Sequence, residues 1–549
     1  MSIGLILSGA LISSEMRIEY GNIVPSFLPI ENKRLFERQV QLLKRFSNNF
    51  FISLPDNYII SEADLIRMEE LELTIIRTPS GLDLGNAILH CIELLCKKNS
   101  NFNNENFYIL HGDTLLNHNW EIYHKKDNIF SVVEANLNYP WGFVKISENI
   151  IKDINEHPKN FKIDNNKNNE FILAGFFKFK SPINLKNALK LANTNFIRAL
   201  SIYVKKNNVF SIVCLDWSDF GHLFNYYKSK EKFFNSRKFN SLYAEDGIVY
   251  KYGQNKNKIS FEKSWFANLP NDLKVYSCRL INYSQDDASS YFYSLEYEFL
   301  PSLQELVVFG DLAENTWRKI LASLSLCVEK FVEHKLEAKS PDFFKFIGHK
   351  KTQKRLSLIG SNLGITLEQH FFVNGEKMPS IRQMADSLLG VIDKIDKPAL
   401  TIIHGDLCFS NILYDQRSEK IKLLDPRGTI DDATASMYGD FRYDMAKISH
   451  SVFGEYDMIV TDRYSLSYTN LGSLKIEFRT FENNSLKFLK EFLKTKSING
   501  VKFDDYFVMA IVNLLFLTMI PLHSESKNRQ MGFLATSAII FKKYFGDLR

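Results

Sequence analysis

The pattern of hydrophobic and polar positions gives the first part of the chain a regular alternation. Short apolar runs at residues 5–7 and 107–110 alternate with stretches of helical periodicity at residues 35–46 and 85–96. Strands that alternate with helices predict a sheet of mainly parallel character with helices packed on it. We therefore expect an α/β, Rossmann-like fold up to about residue 230.

The second part has a different pattern. Residues 248–252 and 290–299 have the composition of strands, whereas residues 317–334 and 381–395 have helical spacing of apolar side chains. The pattern from about residue 317 onward is mainly helical. This order predicts an α+β domain with its sheet near its own N-terminus.

A charged segment without an apolar stripe, residues 226–240, separates the two patterns. We therefore predict two domains, residues 1–232 and residues 240–549. The second is expected to have a small lobe at about residues 240–300 and a helical lobe at about residues 301–549.

Two apolar runs raise the question of a membrane. Residues 1–9 lack the basic start of a signal peptide, so they predict a buried strand. Residues 506–520 contain Asn513 and stop at Pro521, short of the roughly 20 residues that span a bilayer. We expect a core helix there, no membrane association and a cytoplasmic location.

Composition limits the classes of partner. The 549 residues include 68 Lys+Arg and 63 Asp+Glu, and the resulting net charge of +5 is not concentrated in a basic block. This dilute charge does not favour nucleic-acid binding, so small molecules and nucleotides are the expected partners. Six scattered cysteines without metal-ligand spacing indicate thiols in a reducing compartment. The sequence leaves the oligomeric state open.

The tripeptide His404-Gly405-Asp406 begins the strongest motif in the chain. Asp406 follows an apolar strand, Asn411 comes five residues later, and a second apolar strand leads to Asp425. Phosphoryl transfer from a nucleotide needs a carboxylate near the acceptor hydroxyl and oxygen ligands for Mg²⁺. Each residue alone is also a common turn former, but the three together favour a phosphotransferase site.

This motif, HGDxxxxN followed by an Asp on the next strand, resembles that of the aminoglycoside phosphotransferase and choline kinase superfamily. The resemblance covers roughly residues 240–549 and implies a fold related to the protein kinases. It also implies that Asp406 is the catalytic base, that Asn411 and Asp425 bind Mg²⁺, and that ATP is the phosphoryl donor.

The same resemblance implies a nucleotide site in the small lobe. Lys251 in IVYKYG would contact the α- and β-phosphates, and Glu262 in SFEKSW would be its helical partner. Glu296, Tyr297 and Glu298 would bind adenine through their backbone groups. An exposed strand lysine and a surface helix glutamate are the alternatives for Lys251 and Glu262.

The sequence also departs from the protein-kinase pattern. No GxGxxG precedes Lys251, His404-Gly405 stands where protein kinases have His-Arg, and Asp425-Pro-Arg stands where they have Asp-Phe-Gly. These departures favour a small acceptor over a protein substrate. Weaker candidates for acceptor binding are Arg427, Asp440, Asp444 and His523. For the two acids, a position near the start of a helix is the alternative explanation.

A second His-Gly-Asp, His111-Gly112-Asp113, also follows an apolar strand, and Asp219 lies in the later segment LDWSDFG. This order resembles the sugar-phosphate nucleotidyltransferases and the phosphocholine cytidylyltransferases, over about residues 1–232. The resemblance implies that Asp113 and Asp219 hold Mg²⁺ between a nucleotide and a sugar phosphate, with CTP or UTP as the candidate nucleotide. Two turn-forming acids at strand ends are the alternative.

The first domain departs from that family where cations are needed. The loop after Gly9, its nucleotide-binding candidate, has no arginine, and Ser26 stands in place of the usual lysine. Nucleotidyl transfer needs positive charge at the transferring phosphate and at the pyrophosphate. Arg17, Lys33 and Arg34 are the alternative cations. Tyr139 and Gly175 stand where the family forms its sugar pocket.

The two resemblances together imply a bifunctional enzyme. A sugar, an amino alcohol or a polyol would be phosphorylated with ATP, and the product would then receive a nucleotidyl group, as in surface polysaccharide (capsule or lipopolysaccharide) biosynthesis. Three alternatives stay open: a kinase with a degenerate substrate-binding or regulatory first domain, an antibiotic-modifying kinase, and a non-catalytic scaffold. The sequence identifies neither the acceptor nor the nucleotide of the first domain.

Overall fold

We describe the protein from a computed structural model. It describes residues 2–99, 101–118, 120, 125–134, 142–156, 171–233, 240–253, 255–284, 291–336, 343–396 and 399–547. The chain divides into two compact units, Met1–Phe233 and Phe234–Arg549.

The first unit is built on a nine-stranded mixed sheet with the strand order β5-β4-β1-β6-β11-β8-β12-β10-β9. The strands of the whole unit, nine of which form this sheet, are β1 Ser2–Leu7, β2 Pro29–Ile30, β3 Lys33–Arg34, β4 Asn49–Pro55, β5 Leu73–Thr78, β6 Asn106–His111, β7 Thr114–Asn117, β8 Ile129–Glu134, β9 Phe143–Ser147, β10 Ile150–Asn155, β11 Phe171–Phe179, β12 Phe210–Val213 and β13 Asp216–Asp219. Its helices are α1 Ser14–Tyr20, α2 Leu35–Leu43, α3 Glu62–Glu70, α4 Leu84–Lys98, α5 Pro182–Leu191, α6 Phe196–Lys206 and α7 Leu223–Glu231.

Strand β1 lies inside this sheet and is buried over nearly its whole length, as its continuous apolar run requires. It pairs in parallel with β4 and β6, and β4 pairs in parallel with β5. Because parallel strands end at the same edge, the loop after β1 and the turn after β6 lie side by side. Gly112 N–H donates to the carbonyl of Leu7 at 2.8 Å across this edge.

The expectation of a parallel sheet holds for only part of the sheet. Strand β11 runs antiparallel to both β6 and β8. Its residues are almost all buried, and a strand that is buried on both faces has the same apolar pattern in either direction. Strand direction was therefore not visible in the hydrophobic pattern.

The second unit begins with a four-stranded antiparallel sheet of order β14-β15-β17-β16. Its strands are β14 Asn240–Glu245, β15 Ile248–Gly253, β16 Leu280–Tyr283, β17 Tyr291–Glu296, β18 Phe371–Val373, β19 Glu376–Met378, β20 Thr401–Ile402, β21 Ile412–Asp415, β22 Lys420–Leu423, β23 Tyr438–Gly439, β24 Tyr464–Leu471, β25 Ser473–Thr480, β26 Ser497–Ile498 and β27 Val501–Lys502. Its helices are α8 Lys256–Asn268, α9 Leu303–Phe309, α10 Glu314–Glu333, α11 Lys351–Leu363, α12 Ile381–Ile392, α13 Phe441–Val452, α14 Tyr456–Val460, α15 Asn484–Lys494, α16 Tyr506–Met519 and α17 Lys527–Phe545, and a π-helical turn, Lys345–Lys350, leads into α11.

A second four-stranded sheet, β19-β18-β25-β24, corrects the prediction that the sheet of this unit is confined to its beginning. Buried Leu474, Ile476 and Phe478 alternate with exposed residues along β25. This period of two is a strand pattern that the sequence prediction of a helical lobe overlooked.

Helix α16 is apolar on all sides. Among the described residues, Tyr506–His523 is the segment that length and composition would allow to cross a membrane, with a mean hydropathy of 1.9. However, 67% of this segment is buried inside the protein, and α16 packs against α12, α13 and α17. Asn513 in its centre accepts a hydrogen bond from Ser537 of α17. Such burial is typical of the central helix of a helical core.

The six cysteines form no disulfide, and five of them are buried while Cys96 is half-buried.

Candidate active sites

Lys251, on β15, points into the interior of the second unit. Its Nζ lies 2.7 Å from Glu262 Oε2 on α8 and 3.0 Å from Asp425 Oδ1, which follows β22. Tyr293, paired with Lys251 across β15 and β17, donates its hydroxyl to the same Glu262 oxygen at 2.9 Å. The two carboxylates raise the pKa of Lys251 although its burial acts in the opposite direction. The lysine is therefore charged and held in one position.

The backbone at Asp425 has an unusual conformation. Its φ of +54° lies in the left-handed region, which residues other than glycine rarely adopt and which often marks a functional turn. Gly428, three residues later, has φ +67°, and a Cβ there would lie 2.1 Å from the carbonyl oxygen of Phe261 on α8. This close approach requires glycine and fixes the Asp425 loop next to the helix that carries Glu262.

Asp406 lies in the loop between β20 and β21. Its Oδ1 lies 2.7 Å from Nζ of Lys447 on α13, and the side chain of Asp406 is 42% exposed. Asn411 Nδ2 donates to the backbone oxygen of Asp406 at 2.9 Å and to its Oδ2 at 3.3 Å. Burial would raise the pKa of Asp406, but the positive charge of Lys447 outweighs it and holds this pKa below its usual range. Asp406 is therefore an ionised carboxylate that is still accessible.

Asp444 holds the His404-Gly405 loop. Its two carboxylate oxygens accept the backbone N–H groups of His404 at 2.7 Å and Gly405 at 2.8 Å. Gly405 has φ +78°, and a Cβ there would lie 2.8 Å from Cβ of Arg427. Burial raises the pKa of Asp444 to about 7 in spite of these two hydrogen bonds. The loop that carries Asp406 is thus fixed by a buried acid.

This arrangement corrects the acceptor-binding roles that the sequence suggested for two acidic residues. Asp444 is 2% exposed and engaged by the loop backbone, and Asp440 is 3% exposed and forms an ion pair with Arg442 at 2.6 Å. Arg427 packs beside Gly405 and lies 2.9 Å from Asp432. His523 Nδ1 lies 3.2 Å from Glu525 Oε1. The two acids therefore stabilise the fold and do not present a surface to a cationic acceptor.

Part of the predicted adenine-binding segment forms backbone hydrogen bonds within the protein. The N–H of Glu296 donates to the carbonyl of Arg279, and the N–H of Tyr297 donates to the carbonyl of Gly247. Glu298 is half-buried, with its carboxylate 3.6 Å from Lys422. The N–H groups of Glu296 and Tyr297 and the carbonyl of Glu298, which accepts the N–H of Leu300, are thus used by the fold. Adenine binding by the other backbone groups of this segment stays a prediction.

The oxygens near Asp425 suit a magnesium ion. Asn411 donates its amide nitrogen to Asp406, its amide oxygen has only a long contact of 3.5 Å with Ser410 Oγ among the hydrogen bonds of the described residues, and the side chain of Asp425 is 47% exposed. Mg²⁺ prefers one or two such protein oxygens together with substrate phosphates and water, and does not require a closed protein cage. The described residues contain no cluster of three or more His, Cys, Asp or Glu side chains placed to hold a metal.

The first unit brings together the two acids that its sequence singled out. Asp113 follows β6, Asp219 ends β13, and a Cβ at Gly221 would lie 2.6 Å from Asp113 Oδ2 and 3.3 Å from Asp219 Oδ1. Burial, together with the negative charge of Asp113, raises the pKa of Asp219 to about 6. Burial also raises the pKa of Asp113. A buried acid and a half-buried acid that repel each other beside a glycine fit a divalent cation, which would relieve their repulsion.

Gln39, on α2, is a positioning residue that the sequence did not reveal. Its Nε2 donates to three carbonyl oxygens around Asp113, those of His111, Gly112 and Thr114, at 3.0 to 3.1 Å. A lone glutamine on an amphipathic helix carries no signal of such a role, because its three partners lie more than 70 residues away in the chain.

Three further residues of the first unit that the sequence analysis named, Gly9, Gly175 and Ser26, lie among the described residues. Gly9 lies where β1 ends, and a Cβ there would lie 3.0 Å from Thr78 Oγ1. Gly175 has φ +85° and packs against Thr114, next to Asp113. Tyr139 lies outside the described residues. Ser26 is fully buried and donates to the carbonyl of Gly112 at 3.1 Å, so it supports the Asp113 turn.

The structure does not support Arg34 as a cation that binds a triphosphate. Its side chain is 6% exposed, and two of its nitrogens donate to Asp64 at 3.1 and 2.8 Å. A buried arginine with a bidentate carboxylate partner is a structural element of the unit. Arg17 and Lys33 are exposed and stay candidates.

Comparison with known proteins gives matches to solved structures only, since no protein-family model and no curated protein matches the chain. The N-terminal part is similar to a putative glucose-1-phosphate thymidylyltransferase from Bacillus anthracis (13% identity, TM-score 0.35, 43% of this chain and 97% of that one). It is also similar to the CTP:phosphocholine cytidylyltransferase of Streptococcus pneumoniae (14%, 0.33, 42% and 99%) and to the inositol-1-phosphate CTP transferase of T. maritima (14%, 0.32, 42% and 96%). At these values the similarity does not establish an activity.

Proposed function

We propose that the second unit transfers the γ-phosphoryl group of ATP to a hydroxyl group of a small molecule. One observation carries this proposal: Lys251 Nζ lies 3.0 Å from Asp425 Oδ1. In the same unit, Asn411 donates a hydrogen bond to the accessible, ionised carboxylate of Asp406. A fixed cation, two oxygen ligands and a carboxylate base are the groups that phosphoryl transfer from a nucleotide requires.

The acceptor oxygen attacks the γ-phosphorus, the bond from that phosphorus to the β–γ bridging oxygen breaks, and ADP leaves with the electron pair. The hydroxyl proton passes to the carboxylate of Asp406. Lys251 binds oxygens of the α- and β-phosphates, and Asn411 and Asp425 would hold Mg²⁺. When bound, the metal neutralises charge on the phosphate oxygens.

Nucleotide binding tests this proposal before any acceptor is known. Mg-AMP-PNP is titrated into the full chain by calorimetry, with Lys251→Met and Asp425→Asn as test variants. Both should lose at least tenfold in affinity, since each removes a charged contact. Asp406→Asn should bind like the wild type, because Asp406 faces the acceptor. Equal affinity in all four proteins, or no binding at all, would overturn the proposal.

We propose, as a second activity, that the first unit transfers a nucleotidyl group from CTP or UTP to a phosphomonoester. The convergence of Asp113 and Asp219 on Gly221 favours it. An oxygen of the phosphomonoester attacks the α-phosphorus, the bond to the α–β bridging oxygen breaks, and pyrophosphate leaves. Because the product of the second unit would be a phosphomonoester, the two units would catalyse successive steps on one metabolite.

Pyrophosphate release tests this second activity. The full chain is incubated with Mg-CTP or Mg-UTP and a panel of phosphorylated sugars and alcohols. Asp113→Asn and Asp219→Asn should abolish release, whereas Asp216→Asn, on the same strand as Asp219 but 53% exposed, should not change it. Release that persists in both test variants would contradict the activity. Absence of release in the wild type would favour a degenerate substrate-binding or regulatory role.

The cytoplasmic location and the role in surface polysaccharide biosynthesis stay predictions from the sequence.

A further inference from the structure

Four cationic side chains lie around Asp406. Lys447 forms the ion pair with it, and Arg427 packs beside Gly405 in the same loop. Tyr443 lies one helical turn before Lys447 on α13, and its hydroxyl accepts a hydrogen bond from Lys351 Nζ at 3.1 Å. Arg355 lies one turn after Lys351 on α11.

The charges of these groups act on one another. Burial lowers the pKa of Lys351 well below its usual value, and the positive charges of Arg427, Arg355 and Lys447 lower it further, while Asp406 acts in the opposite direction. Burial likewise lowers the pKa of Arg355, and Arg427 contributes to this. The cations are therefore close enough to repel one another.

Carboxylates compensate only part of this charge. Lys447 is paired with Asp406, and Arg427 is paired with Asp432. Within the described part of the chain, Lys351 and Arg355 have no carboxylate at ion-pair distance: Lys351 donates to Tyr443, and Arg355 donates to the carbonyl of Thr518 at 3.1 Å. Lys351 and Tyr443 line a cavity whose other described lining residues are aliphatic and aromatic side chains, Gly348 and two threonines, with no acid among them.

Burial and the neighbouring cations disfavour the charged form of Lys351, and an anionic ligand bound beside it would favour that form. A charge-complementary ligand here would lie near the carboxylate that accepts the acceptor proton. Lys251, by contrast, is engaged with Glu262 and Asp425 and serves the nucleotide. Lys351 and Arg355 therefore lie near the part of the site that would bind the acceptor.

We propose that the acceptor carries an anionic group, a phosphate or a carboxylate, in addition to the hydroxyl that is phosphorylated, and that Lys351 and Arg355 bind this group. The inference rests on the proposed kinase function and specifies its substrate class. It excludes the cationic amino alcohols that the family resemblance suggested. The buried positions of Asp440 and Asp444 agree with it, because neither acid is presented to a cationic acceptor.

Phosphate binding tests the anion site without knowledge of the acceptor. Inorganic phosphate is titrated into the full chain saturated with Mg-AMP-PNP, so that the nucleotide site is occupied. Lys351→Met and Arg355→Gln should each weaken phosphate binding about tenfold, as expected for the loss of one charge-assisted hydrogen bond. Lys351→Arg should retain most of the binding. Lys354→Met, an exposed lysine on the same helix, is the matched control.

A second measurement follows ADP release with Mg-ATP and matched alcohols: glycerol against glycerol 3-phosphate and glycerate, ribose against ribose 5-phosphate, and choline. Turnover of choline or of a neutral member, without turnover of its anionic partner, would overturn the proposal. If no compound in the panel is phosphorylated, the phosphate titration decides.

Two results of the titration overturn the proposal: phosphate binding that neither variant weakens, or a loss confined to AMP-PNP affinity, which would assign the cations to the nucleotide. Failure of the kinase function is recognised separately. In that case AMP-PNP does not bind the wild type, and phosphate titrated without nucleotide still reports whether Lys351 and Arg355 form an anion site.

Discussion

Lys251 and Asp425 lie 174 residues apart in the chain, and their side chains meet at 3.0 Å. The lysine comes from the small antiparallel sheet, and the aspartate comes from the left-handed turn after β22. Glu262 holds the lysine from its other side at 2.7 Å. The fold thus holds a charged lysine next to a half-exposed carboxylate, and the proposed nucleotide site depends on this pair.

The first prediction concerns Lys251. Lys251→Met should lower kcat/KM for ATP by roughly 10² to 10³, in the range found when one preorganised group that stabilises transition-state charge is removed. Lys251→Arg should not restore activity, because the larger planar guanidinium does not fit between Glu262 and Asp425. Steady-state ADP release measures both effects. Lys330→Met, a surface lysine that is 43% exposed, is the control and should retain full activity.

The second prediction concerns the acid side of the pH profile. Because Lys447 holds the pKa of Asp406 below its usual range, wild-type kcat should show no loss from Asp406 protonation above about pH 4. Lys447→Met should raise this pKa and move the acid limb to higher pH, whereas Lys447→Arg should leave it in place. A kcat profile from pH 4.5 to 8 distinguishes the variants. Identical acid limbs in the wild type and Lys447→Met would contradict the account.

The Asp406–Lys447 pair also stabilises the fold with a defined sign. The pKa of Asp406 is lower in the folded protein than in the unfolded chain, so its stabilising contribution is present above about pH 4. This contribution is lost as the pH falls through the lowered folded value.

The third prediction concerns Asp444, for which the sign is opposite. Burial raises its folded pKa to about 7, so the folded state binds more protons than the unfolded state between about pH 4 and pH 7. Its contribution to stability therefore decreases as the pH rises through this window. Asp444→Asn should remove that dependence, and should cost about 1–3 kcal/mol because one loop N–H loses its acceptor. Denaturant unfolding at pH 5 and pH 8 measures both; an unchanged difference between the two pH values would contradict the role of Asp444.

The fourth prediction concerns the first unit. Arg34→Met should destabilise it by about 3–5 kcal/mol, since it removes the charged, bidentate partner of the buried Asp64 carboxylate. Arg17→Met, at an exposed position of α1, should change stability by less than about 0.5 kcal/mol. Thermal unfolding of the full chain, followed by hydrogen exchange of peptides from the first unit, separates its stability from that of the second. Equal effects of the two substitutions would show that the buried ion pair is not structural.

The elements that carry the two acidic motifs were predictable because their signals are local. The apolar run at residues 248–252 marks β15, and the apolar segments before Asp406 and Asp425 mark the strands that precede them. The second sheet was also visible in principle, because β25 alternates buried and exposed positions. The sequence analysis overlooked this period of two because the surrounding segments have helical patterns.

Long-range partners were not predictable in the same way. Lys447 follows Asp406 by 41 positions, and Lys351 precedes it by 55, so no motif links either lysine to the acid. Gln39 and Arg34 look like ordinary polar positions of a surface helix and its start, yet both are buried. Burial of a polar side chain depends on what packs over it, and that information lies elsewhere in the chain.

We propose that the second unit is a phosphotransferase with Asp406 as its base. The most direct test is a ³¹P NMR time course of the full chain with Mg-ATP and the panel of neutral and anionic alcohols. We expect ADP together with a new phosphomonoester signal. Asp406→Asn should abolish this signal, whereas Asp415→Asn, an aspartate at the end of β21, should not. A phosphomonoester formed at the same rate by the wild type and by Asp406→Asn would contradict this proposal.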